Sequence, residues 1–239
     1  MLRVGRVSYK NTIPLFYELR GFEIVDGVPS YLAKLLREGK IDAGIVSSVE
    51  YFFNPDKYLI LPSVSISSKV RVCSVKLFSQ VPFEEVRRVK LSEASLTSKY
   101  LLFYLFEKRL GFLPKESEDA EAIMLIGDEA LEVRSFPYTY DLAEEWFKMH
   151  KLPFVFALFL VRKEADPKEI KRLYEGVKKS LEEFFKDLKR GRLSEDSYFT
   201  ECIDYSLEEE HLKSLSLFFD YLSSKFNKPT PKLCFFESE

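Results

Sequence analysis

Short apolar runs alternate with helical stretches along the first 160 or so residues. Residues 4–8 read as a strand. Polar Tyr9, Lys10, Asn11 and Thr12 separate it from a helix over 13–19, with Pro14 in the first turn, where a missing N–H costs nothing. Residues 22–25 predict a second strand. Residues 29–38 predict a helix whose stripe is Val28, Leu32, Leu35 and Leu36, with Gly39 as its C-terminal cap. Residues 41–46 predict a buried strand with Asp42 near its start. Ser47-Ser48-Val49-Glu50 then fits a capping box, Ser47 as cap and Glu50 reaching back. A strand over 59–61 ends at Pro62. This β-α-β-α-β-α-β order predicts a parallel sheet with helices on its faces.

Residues 70–79 form a long extended run, with Val70, Val72, Ser74, Lys76 and Phe78 alternating against Arg71, Cys73, Val75 and Leu77. A second α/β unit follows. It has a strand over 86–91, a helix over 97–110 closed by Gly111, a buried strand over 122–126 running into Gly127-Asp128-Glu129, and a helix over 141–149 with Asp141 as its cap. A second extended run covers 154–161. Beyond Asp166 the pattern is helical: an amphipathic helix over 167–190, then one to about residue 226, opened by a capping box at Ser206-Leu207-Glu208-Glu209. Two extended runs bracketing a small α/β unit predict an α/β chain of two lobes with a central ligand cleft and a helical C-terminus. Residues 1–78 and 160–239 form the first lobe and 79–159 the second. The two extended runs are the crossing strands and the hinge. Ligands of such folds sit in the cleft, at the C-terminal ends of the strands.

Three strand ends run into polar residues and then a helix: 4–8 into Tyr9 to Thr12, 43–46 into Ser47 and Ser48, and 89–91 into Ser92, Ser95, Thr97 and Ser98. Free backbone N–H groups at such turns suit a carboxylate or phosphate, and three of them converging would hold one small anion. The same residue types are also good helix caps. Asp128 fits either a place at the cleft or a cap.

Charge narrows the partners. With 36 Lys and Arg against 38 Asp and Glu, the net charge is −2, which leaves no basic field for nucleic acid or an anionic membrane. No apolar run approaches the roughly 20 residues that span a bilayer, the most apolar being 153–161. Met1-Leu2-Arg3 leads straight into the first strand, so if the numbering is that of the whole gene product the expected setting is cytoplasmic. Cys73, Cys202 and Cys234 are odd in number, widely spaced and without a CxxC or nearby His. Neither a disulfide nor a zinc site is expected, and a reducing compartment is. One Gln and three Asn against many Lys and Glu resemble a thermophile's composition. GxGxxG, GxSxG, HExxH and GxxxxGK[ST] are all missing. His150 ends a helix, where positive charge suits the dipole, and His211 lies in the last helix. Neither has an evident nucleophile or carboxylate partner, and neither is expected to be catalytic.

Motifs spread over residues 3–163 carry a family resemblance. Ser8-Tyr9-Lys10-Asn11-Thr12-Ile13-Pro14 resembles the S-Y-x-N-T-x-P opening of the menaquinone-biosynthesis protein family of the futalosine route, with Lys10 departing from the apolar residue usual there. Ile45-Val46-Ser47-Ser48-Val49-Glu50-Tyr51, Val72-Cys73-Ser74-Val75 with Phe78-Ser79, Ser95-Leu96-Thr97-Ser98, Leu125 to Leu131, Tyr140-Asp141-Leu142 with Glu145-Trp146, and Leu152 to Ala157 are similar to its later motifs, in the same order. The resemblance implies a periplasmic-binding-protein type II-like fold. It implies dehydration of chorismate to 3-[(1-carboxyvinyl)oxy]benzoate, with no cofactor and no metal. The implied catalytic residues are Asn11, an amide at the reacting ring, and Ser74, a hydroxyl donor to it. The implied binding residues are Ser95, Thr97 and Ser98 for one carboxylate, Ser47 and Ser48 as further contacts, and Asp128. The base is then the substrate's own enolpyruvyl carboxylate, or Asp128 or Glu50 through water. Two alternatives share the fold: an enzyme like the sister that makes 1,4-dihydroxy-6-naphthoate, whose Cys-Pro-containing opening Tyr9-Lys10-Asn11 does not match, and a non-catalytic binder of small carboxylates.

Overall fold

The computed structural model describes residues 1–132, 135–194 and 196–237. The first part of the chain folds as β1 (Arg3–Val7), α1 (Ile13–Phe16), β2 (Glu23–Gly27), α2 (Pro29–Arg37), β3 (Ala43–Ser47), α3 (Ser48–Phe53) and β4 (Tyr58–Ser68). The second unit is β5 (Val75–Ser79), β6 (Arg88–Lys90), α4 (Leu96–Leu110), β7 (Lys115–Glu116), β8 (Ala122–Ile126), α5 (Asp128–Glu132), β9 (Tyr138–Asp141) and α6 (Leu142–His150). β10 (Phe154–Arg162), α7 (Pro167–Lys189), a π-helical turn at Tyr198–Cys202 and α8 (Glu209–Phe226) complete it. Among the described residues no helix is long and apolar enough to cross a membrane.

The strands form two five-stranded sheets, β2-β1-β3-β10-β4 and β7-β6-β8-β5-β9. β1 runs parallel to β2 and β3, but β10 enters antiparallel between β3 and β4. In the second sheet β5 runs antiparallel between β8 and β9. The expected parallel order holds for the strands that alternate with helices, and one antiparallel strand breaks it in each sheet. The boundaries expected at 78/79 and 159/160 fall inside β5 and β10, so the chain changes sheets in the 69–74 segment and again between β9 and β10. α6 spans the second change. Its Trp146 is fully buried, packs edge-on against Phe154 of β10 and Phe218 of α8, and donates from Nε1 to Ser214 Oγ at 3.0 Å.

Two strands depart from the sequence pattern for local reasons. The 59–61 strand continues through Pro62, because β4 is an edge strand and residues 61–64 bulge out: Leu160 faces Ile60 while Leu158 already faces Ser65. An edge bulge is where a residue without an N–H is tolerated. The 70–79 run is instead broken. Cys73 takes a left-handed conformation (φ 65°), and the ladder starts only at Val75.

The caps also sort themselves. Asp141 accepts from the N–H groups of Ala143 and Glu144, as expected. Ser206 does not open the last helix: Glu208 is the cap residue, and its N–H donates to Nδ1 of His211 at 3.2 Å. Ser206 donates instead to Asp204, whose other oxygen meets His211 Nε2 at 2.9 Å. Burial pushes the Asp204 carboxyl up, but hydrogen bonds from His211 and Ser206 outweigh it and hold the group at about 2, below its ordinary 3.8. The folded state therefore binds this proton less tightly than the unfolded chain. The stabilisation is complete above pH 3.8 and is lost as pH falls through about 2. Its size is ~2 kcal/mol. Urea unfolding between pH 5 and 2 should show that fall in the parent protein and a shallower one in Asp204→Asn.

Candidate active site

Between the two sheets lies a small, half-open cavity. Its walls come from the ends of β1, β3 and β8, the start of α4, and the 69–74 crossing segment. The lining polar side chains are Tyr9, Asn11, Ser47, Ser74, Ser95 and Ser98, and none of the lining residues is charged. Sequence reasoning thus places Asn11, Ser47, Ser74, Ser95 and Ser98 on one cavity.

Each is held by its local structure. Thr12 turns the chain after β1 by donating from Oγ1 to Val7 O at 2.7 Å, and Pro14 starts α1. This presents Asn11, whose Oδ1 is buried and without a hydrogen-bond partner among the described residues. A buried acceptor without a donor is costly, so it suits a ligand hydroxyl or amine. Its backbone carbonyl accepts from Tyr205 OH at 2.7 Å. Ser74 is 2 % exposed, with its Oγ 2.8 Å from Tyr198 OH and 3.3 Å from Val72 O. Ser95 caps α4, its Oγ accepting from the N–H and Oγ of Ser98 at 3.3 and 3.2 Å.

Thr97 and Ser48 stand behind the cavity wall and tie the lobes together. Ser47 Oγ accepts from the Thr97 N–H at 3.1 Å, and Thr97 Oγ1 accepts from the Val49 N–H at 3.2 Å. The start of α3 thus caps α4, and the start of α4 caps α3. Ser48 Oγ lies 3.1 Å from Thr97 Oγ1 and donates to Val155 O. The capping box expected at Ser47 is not formed, because Glu50 is buried elsewhere. It takes a bidentate ion pair from Arg37 (2.8 and 3.1 Å), Tyr58 OH at 2.7 Å and Asn54 Nδ2 at 3.0 Å. So held, Glu50 neither caps α3 nor reaches the cavity, which removes it as a base. Asp128 is exposed, outside the cavity lining, and accepts from the Lys10 N–H across the cleft at 3.3 Å. His150 sits under Tyr104, with its ring N 2.7 Å from the hydroxyl, and burial followed by the charge of Lys108 lowers its pKa.

Three features escaped the sequence. Cys73 and Cys202 form a disulfide across 129 residues of chain, because the Tyr198–Cys202 turn packs on the 69–74 segment; the expectation of free thiols was wrong there, while Cys234 is free. The Tyr9 ring lies on Gly127 at the cavity edge, so close that a Cβ on Gly127 would come within 2.7 Å of it. Tyr198 and Tyr205 reach the site from beyond α7, in a stretch with no periodic signal. Only the disulfide had a sequence cue, and spacing along a chain carries no information about distance across a fold.

The model of a family described as menaquinone biosynthesis matches residues 2–224. This chain belongs to that family. Among its menaquinone-biosynthesis relatives, a chorismate dehydratase of Thermus thermophilus is 33% identical over 193 residues, covering 69% of this chain and 71% of the relative. One of Campylobacter jejuni is 31% identical over 187 residues, covering 73% and 74%. Solved structures are similar at lower identity. A protein of Archaeoglobus fulgidus has a TM-score of 0.62 at 17% identity, covering 95% of this chain and 98% of the other. The alkanesulfonate-binding protein of Xanthomonas axonopodis pv. citri has a TM-score of 0.61 at 13% identity, covering 98% and 95%. These place the menaquinone-biosynthesis chain on the two-lobed periplasmic-binding-protein fold.

Proposed function

We propose that this protein is a hydro-lyase that converts chorismate to 3-[(1-carboxyvinyl)oxy]benzoate and water in menaquinone biosynthesis. The observation that carries the reading is a cavity of neutral donors and acceptors with no charged side chain in its lining. Such neutral donors can hold a carboxylate at a helix N-terminus, and a substrate that brings its own base needs no acid–base side chain from the wall. Chorismate has two carboxylates, a hydroxyl at C4 and an enolpyruvyl ether at C3. Loss of the C3 proton spreads charge into the ring carboxylate as a dienolate. The C4 hydroxyl then leaves, taking up the proton removed from C3 to depart as water, and the ring becomes aromatic, which supplies much of the driving force.

The protein's share is positioning and stabilisation of charge. The Asn11 amide sits at the reacting ring, its unpaired Oδ1 orienting the C4 hydroxyl of the bound substrate and its Nδ2 hydrogens donating to the oxygen that gains charge. Ser74 donates to the oxygen that gains charge. Ser95 and Ser98, at the positive end of α4, take one carboxylate, and Ser47 faces them. Thr97 and Ser48 act through the wall behind. The enolpyruvyl carboxylate takes the C3 proton, since Glu50 is engaged elsewhere and Asp128 lies outside the cavity. The futalosine route and a cytoplasmic setting belong to the same proposal. The Lys- and Glu-rich composition is in keeping with a disulfide there, because intracellular proteins of hyperthermophiles carry them.

Purified protein, treated with chelator and mixed with chorismate, should yield a product one water lighter, resolved by chromatography and mass spectrometry. Turnover lost to chelator and restored by one metal would overturn the cofactor-free chemistry. Tight binding of chorismate without product would favour a carboxylate-binding protein instead.

A further inference from the structure

The segment 196–206 runs as a strap across both reacting groups. It is fastened to the edge strand β4 by Asp204 and Ser67, which exchange backbone hydrogen bonds at 2.8 Å, and by Ser65 N–H donating to Tyr205 O at 2.9 Å. The Cys202–Cys73 bond ties it to the residue before Ser74. Asp196 pairs with Lys10, the residue before Asn11. From this strap Tyr205 holds the Asn11 carbonyl and Tyr198 meets Ser74 Oγ.

We infer that Tyr198 is a positioning residue, which fixes the Ser74 hydroxyl as a donor into the cavity. Tyr198 is buried, and its hydroxyl makes one hydrogen bond among the described residues, to Ser74 Oγ at 2.8 Å. Burial pushes the phenol up, so it keeps its proton, and with the Ser74 hydrogen directed at Val72 O the phenol is the partner that donates. With its lone pair engaged by Tyr198, Ser74 has its own hydrogen to give. The Val72 carbonyl, 3.3 Å away, is the weaker acceptor and yields to a ligand oxygen. Two hydroxyls in series also polarise each other, which strengthens the outer donor.

The inference rests on the dehydratase reading and on Ser74 as donor, and kinetics separate it from both. Steady-state kcat and KM for chorismate are measured on the parent protein, Tyr198→Phe, Ser74→Ala and the double variant, with melting temperatures on the same samples. Tyr198→Phe should lower kcat about tenfold, less than loss of a direct oxyanion donor, with KM changed less than about twofold. The double variant should match Ser74→Ala alone, because a residue acting only through Ser74 has no further effect once Ser74 is gone. Full kcat in Tyr198→Phe, or effects that multiply in the double variant, overturns the inference. A parent protein that leaves chorismate intact overturns the functional reading instead.

Site-specific difluorotyrosine at 198 keeps the shape and the hydroxyl but eases its ionisation, so it decides the matter even if the Phe variant does not fold. The groups facing this phenol are Ser74, the carboxylates of Asp128, Asp196 and Asp141, and the Lys10 ammonium over its ring. An alkaline fall in kcat, absent from the parent, is expected as the donor is lost. Superimposable pH profiles overturn the inference.

Discussion

Asn11→Asp should fold like the parent protein and lose turnover by at least about 10²–10³-fold, the usual cost of one oxyanion-stabilising donor. The contacts that shape this loop run from Tyr205 OH to the Asn11 backbone carbonyl and from the Thr12 hydroxyl to Val7 O, and the substitution leaves both intact. What changes is the side-chain amide, whose Oδ1 is buried. A carboxylate there replaces two amide donors with acceptors alone. It also adds negative charge beside a dianionic substrate, in a cavity with no lining cation to offset it. Asn11→Ala removes the amide without the repulsion and should be slow, but faster than Asn11→Asp. Melting temperature and turnover measured on the same preparations decide it. A loss of activity that only follows a loss of stability makes Asn11 a loop residue, and near-normal turnover in Asn11→Asp removes it from the reacting centre.

Opening the Cys73–Cys202 bond should have the largest effect on stability. It closes a loop of 129 residues. Chain entropy assigns a cross-link of that span about 4–5 kcal/mol, or roughly 10–20 °C in melting temperature for a chain of this size. A variant carrying both Cys73→Ser and Cys202→Ser keeps Cys234 from pairing with a stranded thiol. It should melt that much lower, and dithiothreitol should bring the parent protein to the same point. A parent whose melting curve ignores the reductant would show that the bond contributes nothing in solution.

The sequence was most legible where the cavity depends on short-range order. Strand ends that run through Asn11, Ser47 and Ser95 into helices carry their own punctuation, in Pro14, the Ser caps and Gly111. Those residues do converge on one cavity. The long amphipathic helices beyond Asp166 were equally open to reading from their period. Legibility failed where a residue answers to a partner far along the chain. Glu50 has the spacing of a capping box, yet Arg37 and Tyr58 claim it. Ser47 has the look of a cap for its own helix, but its hydroxyl caps α4. The 70–79 run alternates like one strand until Asp141 draws in the N–H groups of Val72 and Cys73 at 3.1 and 2.7 Å. The strap that holds Asn11 and Ser74 has no period to read.

The position of β10 governs how the molecule is made. Each neighbour that β4 pairs with lies later in the chain: β10 along its length, Asp204 beside Ser67, and Phe235 beside Ile60. While the ribosome is still upstream of residue 162, β4 is an unpaired edge and β3 has one open side, the exposure that invites aggregation. All five strands of the second sheet lie between residues 75 and 141, so that sheet has its full complement while the first still waits. The strands of the second sheet can therefore all pair before those of the first, which closes only once β10 has been made.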